Sequence, residues 1–463
     1  MNVCERLFAL FLFSFLAIIT VSCSVSIGND YDDDTSADDE VDDDGNSELD
    51  YVPLLDEQGR TIILHGANFM AVEYGGQPSD YEKMASWGFN IVRILISWAA
   101  LEPEPGVYDE NYLPNLVEPQ VEYAHEAGLK VLLDMHQYHW SSCCGGMGIP
   151  DWTCEDIGDF SLEWLIQSGL FWNHPEYLDA FVKAWEYVAN FFAGDDRIFA
   201  YDLFNEPTAG LRSLPWACEN QLYRPLYARL IETIRAIDPG PYLFIEPTAP
   251  NIGGFPFVME PLPYERLVYE PHIYPLDILN PASGYNFSHE LLEGFVKKCL
   301  REGNNFGAPT FVGELGLTSA ANRAEDFTRD VTNLFDKYML HFTWWAYGFD
   351  DNSMGLLTSS GEEKDVFMRY LIRPYPQATA GELREFSFDV DNAVFTAAFD
   401  NIAGMSPEVE IFVPTKRHYT DGFAVECSDP DGKWSWKFDE AKNILKVTCD
   451  PNSPKHQITI KPK

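Results

Sequence analysis

Two glutamates stand where an apolar run stops. The first closes Tyr201-Asp202-Leu203-Phe204-Asn205-Glu206-Pro207, in which Pro207 has no backbone N–H to continue a strand. The second lies in Phe311-Val312-Gly313-Glu314-Leu315-Gly316. A carboxylate at the end of a buried strand is costly unless it is paired or used. Two such groups facing one another suit a double displacement at an acetal carbon: one is acid and then base, the other nucleophile. A separation of about 5 Å between the carboxyl groups would preserve the configuration at that carbon. This chemistry needs neither a metal nor an organic cofactor, and none is expected.

From Thr61 to Gly348 apolar strands alternate with amphipathic helices. The strands are read at Thr61–Phe69, Asn90–Ile96, Lys130–His136, Phe199–Asn205, Leu243–Glu246, Leu267–Tyr274, Thr310–Glu314 and Phe342–Tyr347. They are taken as continuously apolar, as for parallel strands buried on both faces. Between them Pro119–Ala127, His174–Phe192, Leu222–Ile237, His289–Leu300 and Ala324–Tyr338 carry a helical apolar stripe. Eight strand–helix units predict an α/β fold, a (β/α)8 TIM barrel over residues 51–373. No glycine-rich fingerprint follows an early strand, which disfavours an open nucleotide-binding sheet. Arg373-Pro374-Tyr375-Pro376 is read as a break. Short alternating runs follow at Glu385–Val390, Ala393–Phe399, Val409–Val413, Gly432–Phe438, Ile444–Thr448 and His456–Lys461, predicting a small C-terminal β-sandwich over 374–463.

Catalytic groups of such a barrel sit at the C-terminal ends of its strands. The polar endings are Asn68, Arg93, Asp134 with His136, Asn205 with Glu206, Glu246, His272 with Tyr274, Glu314, and Trp344-Trp345. They are expected to line one cleft. Asn205 is suited to a sugar 2-hydroxyl. Arg93 and Tyr274 would hold Glu314 ionised, because a cation and a hydrogen bond both favour the carboxylate. His272 would tune the proton on Glu206. His136 fits either a sugar contact or a structural histidine.

A net charge of −42 over 463 residues argues against nucleic-acid partners, which need clustered cations. Residues 1–22 read as a signal segment: Arg6, then an apolar run from Leu7 to Val21 too short to span a membrane. Ser22-Cys23 reads as a lipoprotein cleavage site with Cys23 lipidated, although Thr20 and Glu5 depart from the usual pattern. This predicts an exported outer-membrane or cell-surface lipoprotein, or otherwise a secreted protein, acting as a monomer. Residues 23–50 are read as an acidic disordered tether. Of nine cysteines, Cys427 and Cys449 are expected to pair, and one bridge is expected among Cys143, Cys144 and Cys154; Cys218 and Cys299 are left unplaced. A zinc site from His136, His139 and those three cysteines is the alternative, but the spacing matches no standard pattern.

The chain resembles glycoside hydrolase family five. The residues that carry the likeness are Gly59-Arg60, His65-Gly66-Ala67-Asn68, Asn90-Ile91-Val92-Arg93, Asp134-Met135-His136-Gln137, Phe204-Asn205-Glu206-Pro207, His272-Ile273-Tyr274, Gly313-Glu314 and Trp344-Trp345. The resemblance implies a retaining enzyme with Glu206 as acid/base and Glu314 as nucleophile. It also implies Arg93, His136, Asn205, His272, Tyr274 and Trp345 as substrate-site positions. A narrower likeness, to the endoglycoceramidase branch, rests on Asp134-Met135-His136-Gln137, the double tryptophan, and Arg373-Pro374-Tyr375-Pro376-Gln377-Ala378. It implies release of a whole glycan from ceramide in glycosphingolipids. That branch often has Asp after the His-Gln pair, where this chain has Tyr138-His139-Trp140, and the Cys143-Cys144-Gly145-Gly146 loop is also unusual. A ceramide aglycone demands an apolar wall, for which Phe160–Trp172 and Phe255–Met259 are candidates. A glucosylceramidase, a β-glucosidase or a polysaccharide endoglucanase would share the chemistry, and an inactive glycan-binding surface protein is the non-enzymatic alternative.

Overall fold

The computed structural model describes residues 51–158, 162–210, 215–274, 284–286 and 288–463. The signal segment, Cys23, the acidic tether and Phe160 lie outside the described residues. Among the described residues eight parallel strands form a barrel: β1 (His65–Phe69), β2 (Ile91–Ile96), β3 (Lys130–Met135), β4 (Ile198–Asp202), β5 (Tyr242–Ile245), β6 in two pieces (Leu267–Tyr269 and His272–Ile273), β7 (Phe311–Leu315) and β8 (His341–Trp344). Each pairs with its sequence neighbours, and β8 pairs with β1. The first piece of β6 pairs with β5 and the second with β7, so the ring closes through this interrupted strand. Pro271 sits at the interruption, where the missing N–H removes a ladder bond.

Successive side chains of a strand point to opposite faces. At one level the inward positions are apolar: Ile91, Leu132, Ala200, Phe244, Val268 and Phe311 form one buried cluster with Leu54, Ile62 and Leu64. Two residues further along, the inward positions are polar: Arg93, Asp134, Asp202, Glu246 and Glu270, all buried. Another step of two on β3, β6 and β8 reaches His136, His272 and Trp345. Apart from His65, which stacks on Phe342 and Tyr375, the strands are apolar outward but graded inward, from an apolar plug to an ionic layer to the mouth. This corrects the reading of them as uniformly apolar.

The C-terminal part is a two-sheet antiparallel sandwich of β9 (Tyr375–Ala380), β10 (Glu382–Asp389), β11 (Val394–Asp400), β12 (Glu408–Phe412), β13 (Phe423–Cys427), β14 (Ser435–Asp439), β15 (Ile444–Thr448) and β16 (Lys455–Pro462). One sheet runs β9-β12-β15-β14 and the other β10-β11-β16-β13. Thr61–Ile62, read as the start of the first barrel strand, instead pairs with β9 and extends the first sheet. The segment from Arg373 is likewise no simple break. Arg373 is buried and donates to Asp336 at 2.5 Å, and the Tyr375 hydroxyl donates to the Gly88 carbonyl at 2.6 Å. The motif fastens the sandwich to the barrel.

Cys143 and Cys154 are joined by a disulfide, so the zinc set that would have used both thiolates is not assembled. Cys427 and Cys449, expected to pair, are unbonded thiols. They come from opposite sheets and meet, with Asp429, within 4.8 Å of one another.

Candidate active site

Glu206 and Glu314 meet at the barrel mouth, with carboxylate oxygens within 4.8 Å of one another. His272 lies between them: its Nδ1 is 2.8 Å from Glu206 Oε1 and 3.6 Å from Glu314 Oε2. The approach fits the short carboxyl separation of double displacement, not the roughly 6.5–9.5 Å gap that leaves room for a directly attacking water.

Each glutamate is held from below. Glu206 has φ of 43°, a left-handed conformation uncommon for a residue with a β-carbon. Its N–H donates to Glu246 Oε2 at 2.7 Å, and the Gln137 side-chain amide donates to the carbonyls of Asn205 and Glu206 at 3.1 and 3.0 Å. Glu314 accepts from Arg93 Nη1 at 2.9 Å and from the Tyr274 hydroxyl at 3.3 Å. The glycine before it is required by packing. A β-carbon on Gly313 would fall 2.1 Å from Glu270 Oε1, while its carbonyl accepts from Asn68 Nδ2 at 2.9 Å.

Arg93, expected at the cleft, lies wholly beneath it with 0% exposure. Its guanidinium is 2.5 Å from Asp202, 3.0 Å from Asp134 and Glu246, and 3.3 Å from Glu270. It is therefore a positioning group for Glu314 rather than a substrate contact. One cation cannot balance so many buried charges. Burial raises the Glu246 and Glu270 carboxyls well above the ordinary range and Asp134 to about 6, against the pull of Arg93. His272, although buried, is pushed well above its usual value by Glu246, Glu314 and Glu206, so it carries an imidazolium. Burial acts upward on Glu206 too, but the hydrogen bond and charge of His272 outweigh it and keep that carboxyl low. Burial leaves Glu314 raised. Glu206 and His272 thus share a proton across a 2.8 Å hydrogen bond.

The rest of the expected set converges here. Asn205 Oδ1 accepts from Arg93 Nη2 at 2.8 Å, and its Nδ2 donates to the Gln137 carbonyl at 2.8 Å. His136 is neutral, because burial pushes it down to about 4. Its Nδ1 donates to Asp134 Oδ2 at 2.8 Å, and its ring stacks on Trp345 at 5.5 Å. Trp345 is half-buried; Trp344 points into the core against Phe367. Asp202, Glu270 and Gln137 were not anticipated. Asp202 and Glu270 lie on the same inward rows as the plug residues Ala200 and Val268, which a period-two reading could have found.

The expected apolar walls are partly core. Glu163–Phe171 is a helix whose Leu165 and Phe171 are buried, with Phe171 packed against Trp98 and Trp140. Phe257 and Met259 are buried as well, Phe257 stacking on Tyr269. Leu162, Trp164, Ile166, Leu170 and Phe255 remain half-buried, and Val258 is exposed.

Residues 55–351 match the family model for cellulase (glycosyl hydrolase family 5), and residues 373–461 match the glycoside hydrolase family 5 C-terminal domain. Endoglycoceramidase I of Rhodococcus hoagii is 29% identical over 451 residues, spanning 88% of this chain and 86% of that one. The solved structure of endo-glycoceramidase II from Rhodococcus sp. in complex with ganglioside GM3 superposes with a TM-score of 0.78 at 27% identity, covering 89% of this chain and 100% of that one. The lactosyl-enzyme intermediate of the same enzyme gives a TM-score of 0.76 at 26% identity, with coverage of 89% and 100%. With more than half its length matched by the first of these models, the chain belongs to glycosyl hydrolase family 5.

Proposed function

We propose that this protein hydrolyses the β-glycosidic bond between an intact glycan and ceramide in glycosphingolipids, with retention of configuration. The observation that carries the mechanism is the pair of carboxylates within 4.8 Å at the barrel mouth. The likeness to endoglycoceramidases along nearly the whole chain supports the substrate. The proton shared by His272 and Glu206 passes through Glu206 to the glycosidic oxygen while a Glu314 oxygen attacks the anomeric carbon. Ceramide leaves as the alcohol, and the glycan is held as an ester on Glu314. Glu206 then takes a proton from water, whose oxygen attacks the same carbon and frees Glu314. The proton on His272 Nδ1 follows the charge on Glu206, and Tyr274 and Arg93 stabilise Glu314 as it leaves. Asn205 keeps one Nδ2 hydrogen for the sugar 2-hydroxyl, and His136 with Trp345 flanks the reacting sugar. Lipidation of Cys23, with residues 23–50 as a tether, would hold the exported enzyme at a membrane surface where its substrate resides.

The test is incubation of the protein in mild detergent with a ganglioside, lactosylceramide, glucosylceramide and carboxymethylcellulose, beside Glu314→Gln. Intact oligosaccharide plus ceramide, absent with the variant, is the expected result. A single sugar released from glucosylceramide alone would make it an exo-acting glucosylceramidase. Cleavage of cellulose without lipid turnover would overturn the ceramide reading and leave the two-glutamate chemistry in place.

A further inference from the structure

The turn that carries Glu206 is gripped by one side chain. Gln137 follows His136 just beyond β3 and is 4% exposed. Its Nε2 donates to the Asn205 carbonyl at 3.1 Å and to the Glu206 carbonyl at 3.0 Å. The grip is returned, since Asn205 Nδ2 donates to the Gln137 carbonyl at 2.8 Å. The two gripped carbonyls belong to the planar peptides on either side of the Glu206 α-carbon. Holding both on one amide fixes the rotation about that carbon, and with it the direction of the side chain. Glu206 needs such a hold, because its φ of 43° is a conformation that persists only where the surroundings over-determine it. Gln137 is itself braced. Its Oε1 accepts from Trp140 N at 2.9 Å, and Trp140 is wholly buried. The loop after β3 folds back on it: Tyr138 and Met147 exchange backbone hydrogen bonds at 3.0 and 2.8 Å, and a β-carbon on Gly148 would fall 2.5 Å from Gln137 Cα. The Cys143–Cys154 disulfide closes the outer part of that loop. With both ends of its amide engaged by the chain itself, Gln137 acts through Glu206 rather than on the substrate.

We propose that Gln137 is the positioning residue for proton transfer, aiming the Glu206 carboxyl at the glycosidic oxygen and at His272. This rests on the reading of Glu206 as acid/base above. A general acid works only within hydrogen-bond reach of the atom it protonates, roughly 2.6–3.2 Å. Glu206 must keep that reach while holding its 2.8 Å bond to His272, so a small rotation of its backbone spoils both. Without the amide the two carbonyls lose their donor, and the Glu206 backbone is free to leave the left-handed region and carry the carboxyl with it. Glu314 is held by other groups, Arg93 and Tyr274 on its carboxylate and Asn68 on the carbonyl before it, so attack on the anomeric carbon keeps its geometry. The consequence is selective: the proton step suffers and the nucleophilic step does not.

The test is a series of aryl β-lactosides of graded leaving-group acidity, from dinitrophenyl to phenyl, given to the unaltered full chain, Gln137→Met and Glu206→Ala. In this series kcat/KM reports the first step, in which dinitrophenolate departs without a proton and phenolate needs the acid. Gln137→Met should stay within about threefold of the unaltered enzyme on the dinitrophenyl lactoside and fall by about a hundredfold on the phenyl lactoside, the cost of a small misplacement of the acid. The ratio of the two values does not depend on how much of the variant is folded, so instability does not imitate it. A uniform loss across the series, or no loss on the phenyl lactoside, would overturn the positioning role. Glu206→Ala tests the acid/base reading separately. A steep dependence there beside a uniform loss in Gln137→Met leaves Glu206 as the acid and overturns the proposal alone. A dependence in Glu206→Ala no steeper than that of the unaltered enzyme overturns the acid/base reading and the proposal with it.

Discussion

Replacing Arg93 with methionine, which is similar in length and uncharged, removes the guanidinium from the layer beneath the cleft. The guanidinium is completely buried and lies within 3.3 Å of Asp134, Asp202, Glu246, Glu270 and Glu314. Stripping one partner from a buried ion pair costs about 3–5 kcal/mol, because the charge left behind is uncompensated. In a chain of this size that corresponds to a fall in Tm of about 6–10 °C, taking about 2 °C per kcal/mol. The loss should also depend on pH. Asp134 sits at about 6 in the fold against an unfolded value of 3.8, even with Arg93 pulling it down. Its folded value therefore rises further in the variant. A carboxyl raised in the folded state adds stability that is full below its unfolded value and lost as pH rises through its folded value. At pH 5 the variant relieves itself by taking up protons; at pH 8 it does so less. Thermal melts of both proteins at pH 5 and pH 8 should show the larger gap at pH 8. A gap under about 2 °C at either pH, or the same gap at both, would refute the argument that Arg93 neutralises this layer.

Three further outcomes follow from the same geometry. Glu219 is raised by burial to about 7, so it adds stability that is lost as pH rises from 5 to 8; Glu219→Gln should therefore lose less Tm, or gain more, over that range than the unaltered protein, and an equal change in the two would count against its burial as an ionisable group. His272→Gln removes the imidazolium between the two glutamates. The acidic limb of kcat/KM should move up as Glu314 loses a cation, and the basic limb down as Glu206 loses its proton partner, giving a narrower bell; an unmoved profile would remove His272 from the proton path. Trp344→Ala, in the core, should cost about 3–5 kcal/mol of stability, whereas Trp345→Ala should raise KM with little change in Tm; the reverse pattern would mean that the roles of the two are exchanged.

The two glutamates and their barrel were legible in the sequence because each ends a strongly apolar run with a carboxylate and a glycine or proline beside it. What was not legible is the layer under them. Asp202 and Glu270 fall inside runs read as continuously apolar and buried on both faces, so their inward placement does not show. In a closed barrel the inward row narrows from Ala200 and Val268 to these acids within two residues. The join of the two domains was hidden for another reason. Thr61–Ile62 and Tyr375 are set by pairing and packing between distant segments, and no local period reports that. The apolar helix Glu163–Phe171 shows the limit of composition: Phe171 is covered by Trp98 and Trp140, whereas Trp164 stacks on His139 of the loop after β3.

The central claim is that Glu314 becomes covalently bound to the sugar while Glu206 handles the proton. An aryl 2-deoxy-2-fluoro-β-lactoside with a good leaving group should trap that ester, and digestion followed by mass spectrometry of the peptides would locate it. A single fluorolactosyl group on Glu314, absent in Glu314→Gln, is the result expected. A label on any other residue, or product released from lactosylceramide with its anomeric configuration inverted, would contradict the double-displacement account.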